Sequence, residues 1–226
     1  LATDGTTRCI GGRVSGRKLF VPMADGADAF VVTTADGPVL VQADASGVSL
    51  AVEPTQDGGC FGTLSLADAP AQLCAGDVAA ALDEAVLATS AYLLGLTERA
   101  FAMTLDYLKT RKQFGRLIGS FQALQHRAVD LKIQIAMTRA SVESAAATFD
   151  SGPAPDVRQA AASRAKARAA ETAMLVTRQA IQLHGAIGYT DEYDVGLYLR
   201  KAMTLANLYG SADVHRARFA ALNPGE

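Results

Sequence analysis

The spacing of apolar positions changes once along this 226-residue chain, near Gly76. Before that point short β-branched runs alternate with turn signals, and the runs Arg13–Val21, Ala29–Thr34, Val39–Asp44, Val48–Val52 and Gly62–Leu66 read as strands. They are joined through Asp25-Gly26, Asp36-Gly37-Pro38, Ser46-Gly47 and Asp57-Gly58-Gly59. Five such strands need a partner element to close their edges. After Gly76 the apolar residues recur at steps of three and four. Leu82, Val86, Leu93, Phe101, Leu105 and Leu108 form one stripe, with Ser90 and Thr97 at the intervening steps. This predicts one long helix from Asp77 that ends before Arg111, its two hydroxyls bonding carbonyls one turn back. Further helices are expected over Ser120–Phe149, Pro155–His184, Asp191–Leu208 and Ser211–Leu222, with Asp150-Ser151-Gly152-Pro153 and Gly185 as stops. The third is rich in alanine, which lets its neighbours approach closely. The fold class is therefore α+β: a partial antiparallel β-domain over residues 1–76, then an antiparallel bundle of four to five helices over 77–226.

Composition narrows the partners. Half of the residues are hydrophobic but only 6% aromatic, and 11 of the 20 glycines lie in residues 1–76, which suits a globular chain and excludes collagen or disorder. The net charge is −2, about −4 before Gly76 and +2 after it, without the basic excess that a phosphate backbone demands. Nucleic acid is not an expected partner. Cys9, Cys60 and Cys74 form no CxxC pair and lie near no histidine cluster, so neither a metal site nor a disulfide framework is expected, and a reducing, cytoplasmic setting fits. No uninterrupted apolar run approaches the ~18–20 residues of a membrane span. The chain opens on Leu1, and its first segment reads as the interior of a sheet domain, as a truncated or processed subunit would.

Several chemistries lack their signatures. No GxxxxGK[ST] loop occurs, and Gly11-Gly12 and Gly58-Gly59 lack the flanking spacing of a phosphate loop. His126, His184 and His215 fall on different helices; only Asp130 lies one turn from any of them, and one such pair does not make a metal site. No GxSxG elbow supports a serine nucleophile. The informative stretches are two glycine-containing breaks between helices, where free backbone amides and a helix N-terminus can bind an anion. The first is Arg111-Lys112-Gln113-Phe114-Gly115 followed by Ile118-Gly119-Ser120-Phe121-Gln122; an arginine with an aromatic three residues later suits a diphosphate attached to a flat ring. The second is Gln182-Leu183-His184-Gly185-Ala186-Ile187-Gly188-Tyr189, where glycine lets backbone approach a ligand. Read as residues alone, both also suit helix caps with a surface arginine and a core phenylalanine.

The runs YLKTRKQFGRLIGSFQALQHRAVDLKI and AIQLHGAIGYTDEYDVGLYLRKA together resemble the carboxy-terminal helical domain of the acyl-CoA dehydrogenase family, particularly its bacterial fatty-acid and steroid side-chain type. VSGRKLFVPMADGADAFVV similarly resembles the later strands of that family's middle β-domain. The resemblance implies FAD held between subunits, with Arg111, Gln113 and Phe114 at one face of a cofactor site. Gln182, Gly185 and the backbone at Ala186 would form the other face, reaching FAD bound largely to the adjacent subunit. Ala186 stands where the family usually has a second glycine.

The implied reaction is α,β-dehydrogenation of an acyl-CoA thioester, which needs a carboxylate base. The family's commoner position for it falls on Tyr209, and a phenol does not replace a carboxylate at neutral pH. The alternative position, on the first long helix, falls at Ala85, beside Glu84; Glu84 is the candidate base. It also reads as an exposed acid that, with Asp77 and Asp83, favours the positive end of the helix dipole. Asp213, Glu192 and Asp194 are weaker candidates. The resemblance further implies a homo- or hetero-oligomer, a dimer of dimers, with an electron-transfer flavoprotein as acceptor. A base-lacking partner in a heteromeric enzyme fits Tyr209 and Ala186. A non-catalytic binding member of the fold, or an acyl-CoA oxidase-like or nitroalkane-type flavoenzyme, carries the same motifs.

Overall fold

A computed structural model describes residues 7–223, which divide between Val78 and Ala79 into two compact units. In the first unit every expected strand forms, within three or four residues at its ends: β2 (Arg13–Pro22), β3 (Ala29–Thr34), β4 (Gly37–Gln42), β5 (Val48–Pro54) and β6 (Cys60–Pro70). Two short strands join them, β1 (Arg8–Ile10) and β7 (Gln72–Leu73), too brief to carry an alternating pattern. They lengthen two antiparallel sheets, ordered β1-β2-β6-β5 and β3-β4-β7. Val14, Leu64 and Leu66 from the first sheet and Phe30, Val32, Val39 and Val41 from the second share one core. Gly47 is fixed by contact as well as by conformation: its φ is +81°, and a Cβ there would stand 2.1 Å from the Ala67 carbonyl oxygen.

The second unit contains α1 (Val78–Thr110), α2 (Gln122–Asp150), α3 (Pro155–His184), α4 (Val195–Asn207) and α5 (Ala212–Leu222). The α1 stripe is buried at Val86, Leu93, Phe101 and Leu108 and half-buried at Leu82 and Leu105. Ser90 and Thr97 sit in it with their hydroxyls donated to the carbonyls of Val86 and Leu93, at 2.7 and 2.6 Å. Hydroxyls folded back in this way cost little apolar character. An 18-residue window of α1 reaches a mean hydropathy of 1.3, enough by length and composition to cross a membrane. A third of that window is buried inside the unit, and the core helix of a bundle meets the same criterion of length and composition.

The alanines of α3 let it pack closely against α2, α4 and α5. Leu94 and Phe101 of α1 and Leu131 and Ile135 of α2 close on its one flank, and Ala202 and Leu205 of α4 on the other. α4 begins later than its apolar pattern predicts, at Val195, because Asp191–Asp194 form turns instead.

Buried polar groups tie three helices together. Asp83 has no exposed surface; its carboxylate accepts from Arg158 at the start of α3 (3.2 Å) and from Arg218 on α5 (2.8 Å). Asp83 is thus an interior ion-pair member rather than a solvated complement to the α1 dipole. Beside it the buried His215 donates from Nε2 to the Tyr209 carbonyl (3.1 Å) and accepts at Nδ1 from Ser163 (3.2 Å). Burial and the nearby Lys166 charge push its pKa down to about 4.

This cluster sets the stability of the bundle in two measurable ways. Asp83→Ala leaves two arginines without their buried anion and is expected to cost about 3–5 kcal/mol in urea unfolding, whereas Glu84→Ala on the exposed side stays within about 0.5 kcal/mol; equal effects would reject the assignment. Above pH 6.5 His215 is neutral whether the chain is folded or unfolded. Between pH 6.5 and about 4 the unfolded chain takes up the proton first, so this group withdraws roughly 3 kcal/mol of stability as pH falls across that window. His215→Gln should flatten that part of the stability profile.

Candidate functional site

The first break is a miniature hairpin. Tyr107 accepts from the Arg111 amide as α1 ends, and Lys112–Gln113 pair antiparallel with Arg116–Leu117, leaving Phe114-Gly115 as a two-residue loop. Both loop residues have positive φ, +52° and +77°. Such loops normally take Asn-Gly, because a left-handed conformation penalises most other side chains by about 1–2 kcal/mol. Here the position holds a phenylalanine that is 88% exposed. Neither local stability nor core packing explains that choice, and the ring stands presented to solvent. Phe121 stands edge-on to it at 6.1 Å, with the Arg116 guanidinium 4.0 Å above the Phe121 ring. Arg111, Lys112 and Arg116 are all exposed, and no side chain caps the N-terminus of α2. The hairpin therefore offers three cations, an aromatic face and an open helix N-terminus within a dozen residues. Gly119 seats it on α1, since a Cβ there would lie 2.7 Å from the Leu108 carbonyl oxygen.

The second break lies at the end of α3. Gln182 is exposed, Gly185 takes φ +67° with open space where a Cβ would be, and Ala186 is exposed within a short 3-10 turn over Gly185–Tyr189. Ala186 is not among the positive-φ residues, so its methyl is compatible with the backbone. At the root of the loop His184 stacks on Tyr107 (4.5 Å between ring centres) and touches Tyr193 (4.7 Å). Its Nδ1 donates to the Ala180 carbonyl at 2.7 Å, which leaves Nε2 as an acceptor, buried and with no protein partner among the described residues. Burial lowers its pKa and keeps the ring neutral.

The stack of Tyr107 on His184 places both breaks at one end of the bundle, and this joins Arg111, Gln113 and Phe114 to Gln182, Gly185 and Ala186. Glu84 is not with them. It is exposed near the start of α1, and the 26 residues from there to Thr110 span roughly 39 Å at the helical rise. It lies instead at the end of the bundle that holds Tyr209, because its neighbour Asp83 pairs with Arg218 on the same helix as His215, which bonds the Tyr209 carbonyl. The two positions considered for a base thus share one end, and the cofactor motifs share the other. Among the weaker carboxylates, Asp213 pairs with Arg216 at 3.1 Å in the first turn of α5, while Glu192 and Asp194 are exposed in the turns before α4.

The residues lend themselves to a dinucleotide cofactor. The strained, displayed Phe114 ring suits a flat base, Arg111 and the open α2 amides suit a diphosphate, and the orphaned His184 nitrogen sits beneath a glycine that admits close approach. Sequence reasoning singled out Arg111, Phe114 and Gly185 here, and did not single out four other residues. Lys166 lies inside an alanine-rich helix as a buried ammonium, and its place on the stripe Ala162, Lys166, Ala170 and Ala173 was the available signal. Tyr107 and Tyr193, the clasp of the two breaks, carry no local motif. In the first unit Phe20 (φ +55°, 72% exposed) stands edge-on to Phe61 at 6.2 Å, a second displayed aromatic on a strained backbone.

Residues 76–222 match the family model for the acyl-CoA dehydrogenase C-terminal domain. Acyl-CoA dehydrogenase IpdE2 of Mycolicibacterium smegmatis is 37% identical over 84% of this chain and 57% of its own length. Among solved structures, the Tcur3481-Tcur3483 steroid ACAD G363A variant superposes with a TM-score of 0.87 at 34% identity, over 96% of this chain and 61% of that one. The ChsE4-ChsE5 complex from Mycobacterium tuberculosis superposes with a TM-score of 0.89 at 28% identity, over all of this chain and 65% of that one. The chain thus spans about three fifths of the length of these relatives. It belongs to the acyl-CoA dehydrogenase family and carries that family's carboxy-terminal helical domain.

Proposed function

We propose that this chain is a subunit of an FAD-dependent acyl-CoA dehydrogenase, and that it is the base-lacking partner in a heteromeric, cytoplasmic enzyme. The observation that carries the reading is the separation within one bundle. The Arg111 hairpin and the base positions lie at opposite ends of α1, roughly 39 Å apart, farther than an extended dinucleotide reaches. A cofactor gripped by Arg111 therefore reacts beside a different chain, and an active site is complete only in an oligomer. That the ChsE4-ChsE5 structure is a complex of two partners, and that the Tcur3481-Tcur3483 protein also bears a paired name, supports a heteromer.

In this reading Arg111 neutralises the cofactor diphosphate, Gln113 and Phe114 hold its adenosine end, and Gln182, Gly185 and the Ala186 backbone close the other side. FAD, when bound, accepts the hydride that leaves the β-carbon of the acyl-CoA. The α-proton must go to a carboxylate, which the partner chain supplies in this reading; Glu84 is this chain's own candidate in the alternative of a self-sufficient enzyme. A solvated carboxylate is a weak base at the α-carbon unless a partner covers and desolvates it. Tyr209, at the other base position, shapes the site without taking the proton. The electrons then leave to an electron-transfer flavoprotein. Steroid or fatty acyl side chains are the substrate class.

The deciding experiment is flavin stoichiometry of the purified native complex, with intact mass of its subunits. One flavin per two chains, with a second, longer polypeptide present, is the expected result. One flavin per identical chain with turnover abolished by Glu84→Gln would instead make this chain a self-sufficient enzyme. Absence of flavin would support a non-catalytic binding member of the fold. The hairpin gives an independent prediction. Phe114→Asn relieves a left-handed aromatic and should raise the unfolding free energy by up to about 1 kcal/mol, while weakening FAD binding at least tenfold in fluorescence titration. Unchanged affinity would show that the ring is displayed for something else.

A further inference from the structure

The turn that carries Tyr209 is held at unusual cost. Tyr209 has φ +59° and Gly210 +118°, two successive positive angles between α4 and α5, the first on a bulky residue. A plain helix-to-helix connection would place glycine at position 209. The conformation is nevertheless fixed from four sides. His215 donates to the Tyr209 carbonyl at 3.1 Å, and the Gly210 amide bonds Asn207 at 3.2 Å. The Ser211 hydroxyl caps α5 by accepting from the Val214 amide at 3.4 Å. A Cβ at Gly210 would sit 3.0 Å from His215 Nε2.

The fourth side is Lys166. Its side chain has no exposed surface, and its Nζ donates to the carbonyls of Ala206 and Gly210, each at 2.9 Å. Ala206 lies in the last turn of α4, whose carbonyls lack intrahelical donors and carry the negative end of the dipole. Among the described residues Lys166 donates to these carbonyls and to no carboxylate. A buried ammonium without an anion is costly where an apolar side chain would fill the same space. The neutral His215 of α5 feels the charge of Lys166 and also those of Arg218 on α5 and Asp83 on α1, and Asp83 is already shared between Arg218 and Arg158 of α3. That cost serves one local feature, the path of the chain through Tyr209.

We propose that Lys166 is a positioning residue, a helix cap supplied in trans that locks the Leu208–Ser211 turn and so fixes where Tyr209 stands in the substrate site. The link to substrate rests on the dehydrogenase reading above; the lock itself does not. Burial lowers the Lys166 pKa to about 8. An opened turn would solvate the amine and restore its ordinary affinity for a proton, so the closed turn is favoured increasingly as pH rises above about 8.

The test is amide hydrogen exchange at Leu208, Gly210, Val214 and His215 in the purified native complex, corrected for intrinsic rates. In the wild-type protein the protection of these amides should rise about tenfold between pH 8 and 9.5. In Lys166→Met they should exchange at least tenfold faster at pH 8 and lose that pH dependence, with the α2 amides unchanged. Flat wild-type protection across this range, or a Lys166→Met turn as protected as wild type, overturns the proposal. Should Lys166→Met lose protection throughout the bundle, the wild-type pH series decides alone. A complex without flavin would defeat the dehydrogenase reading, while the exchange result would still decide whether Lys166 locks the turn.

Discussion

The helical unit depends on α3 being thin. Alanines at 161, 162, 165, 169, 170, 173 and 180 are buried, and the backbones of α2, α4 and α5 come close because no larger side chain intervenes. Close packing leaves little room for independent movement of neighbouring helices. Whatever is attached to the ends of α3 and its neighbours is therefore held in a fixed relation. At its start Arg158 joins Asp83 of α1, and at its end His184 is clasped by Tyr107 and Tyr193. A rigid rod with a polar junction at one end and an aromatic clasp at the other is well suited to hold two distant sites in register.

Those two ends store strain of different kinds. At the hairpin the cost is borne by an exposed ring in a left-handed loop, Phe114, with little around it to compel the conformation beyond the short ladder of β8 (Lys112–Gln113) and β9 (Arg116–Leu117). At the Tyr209 turn the cost is enclosed, over-determined by Lys166, His215 and Ser211. An exposed strained residue can adjust to a ligand as it binds, whereas an enclosed one presents a preformed shape. Under the proposed function, gripping a cofactor and shaping a reaction space make those different demands.

Much of this is legible in the amino-acid sequence. The change of period at Gly76, α3 from Pro155 to His184, and both glycine-bearing breaks follow from spacing alone, because long periodic segments are the strongest sequence signal. The strands β1 and β7 are not legible, being three and two residues long and dependent on the strands they join. Asp83 reads as a solvated acid because a carboxylate near a helix start usually is; only its position beside Val86 and Ser90 on the buried side, one step from the exposed Glu84, separates the two roles. Lys166 is hidden by the opposite habit, since a lysine among alanines ordinarily faces water. Its four-residue spacing from Ala162 and Ala170 puts it on the buried stripe, and a charged residue on such a stripe signals an acceptor waiting on another element.

The two base positions bear on why a chain with tyrosine in place of a carboxylate would keep so costly a turn. Relaxing the turn would remove the positive φ of Tyr209 and free a buried ammonium, at the loss of the hydrogen bonds from Lys166 and His215 that hold it. Under the proposed dehydrogenase reading, a turn held this firmly fixes the location of the Tyr209 ring, which transfers no proton. A phenol held at the mouth of an acyl site can exclude water and set the depth to which a substrate enters. Both tasks require position rather than ionisation, and both are served by a turn locked from the neighbouring helices. Under the proposed dehydrogenase reading the proton acceptor comes from another subunit, and the reacting site is assembled across chains.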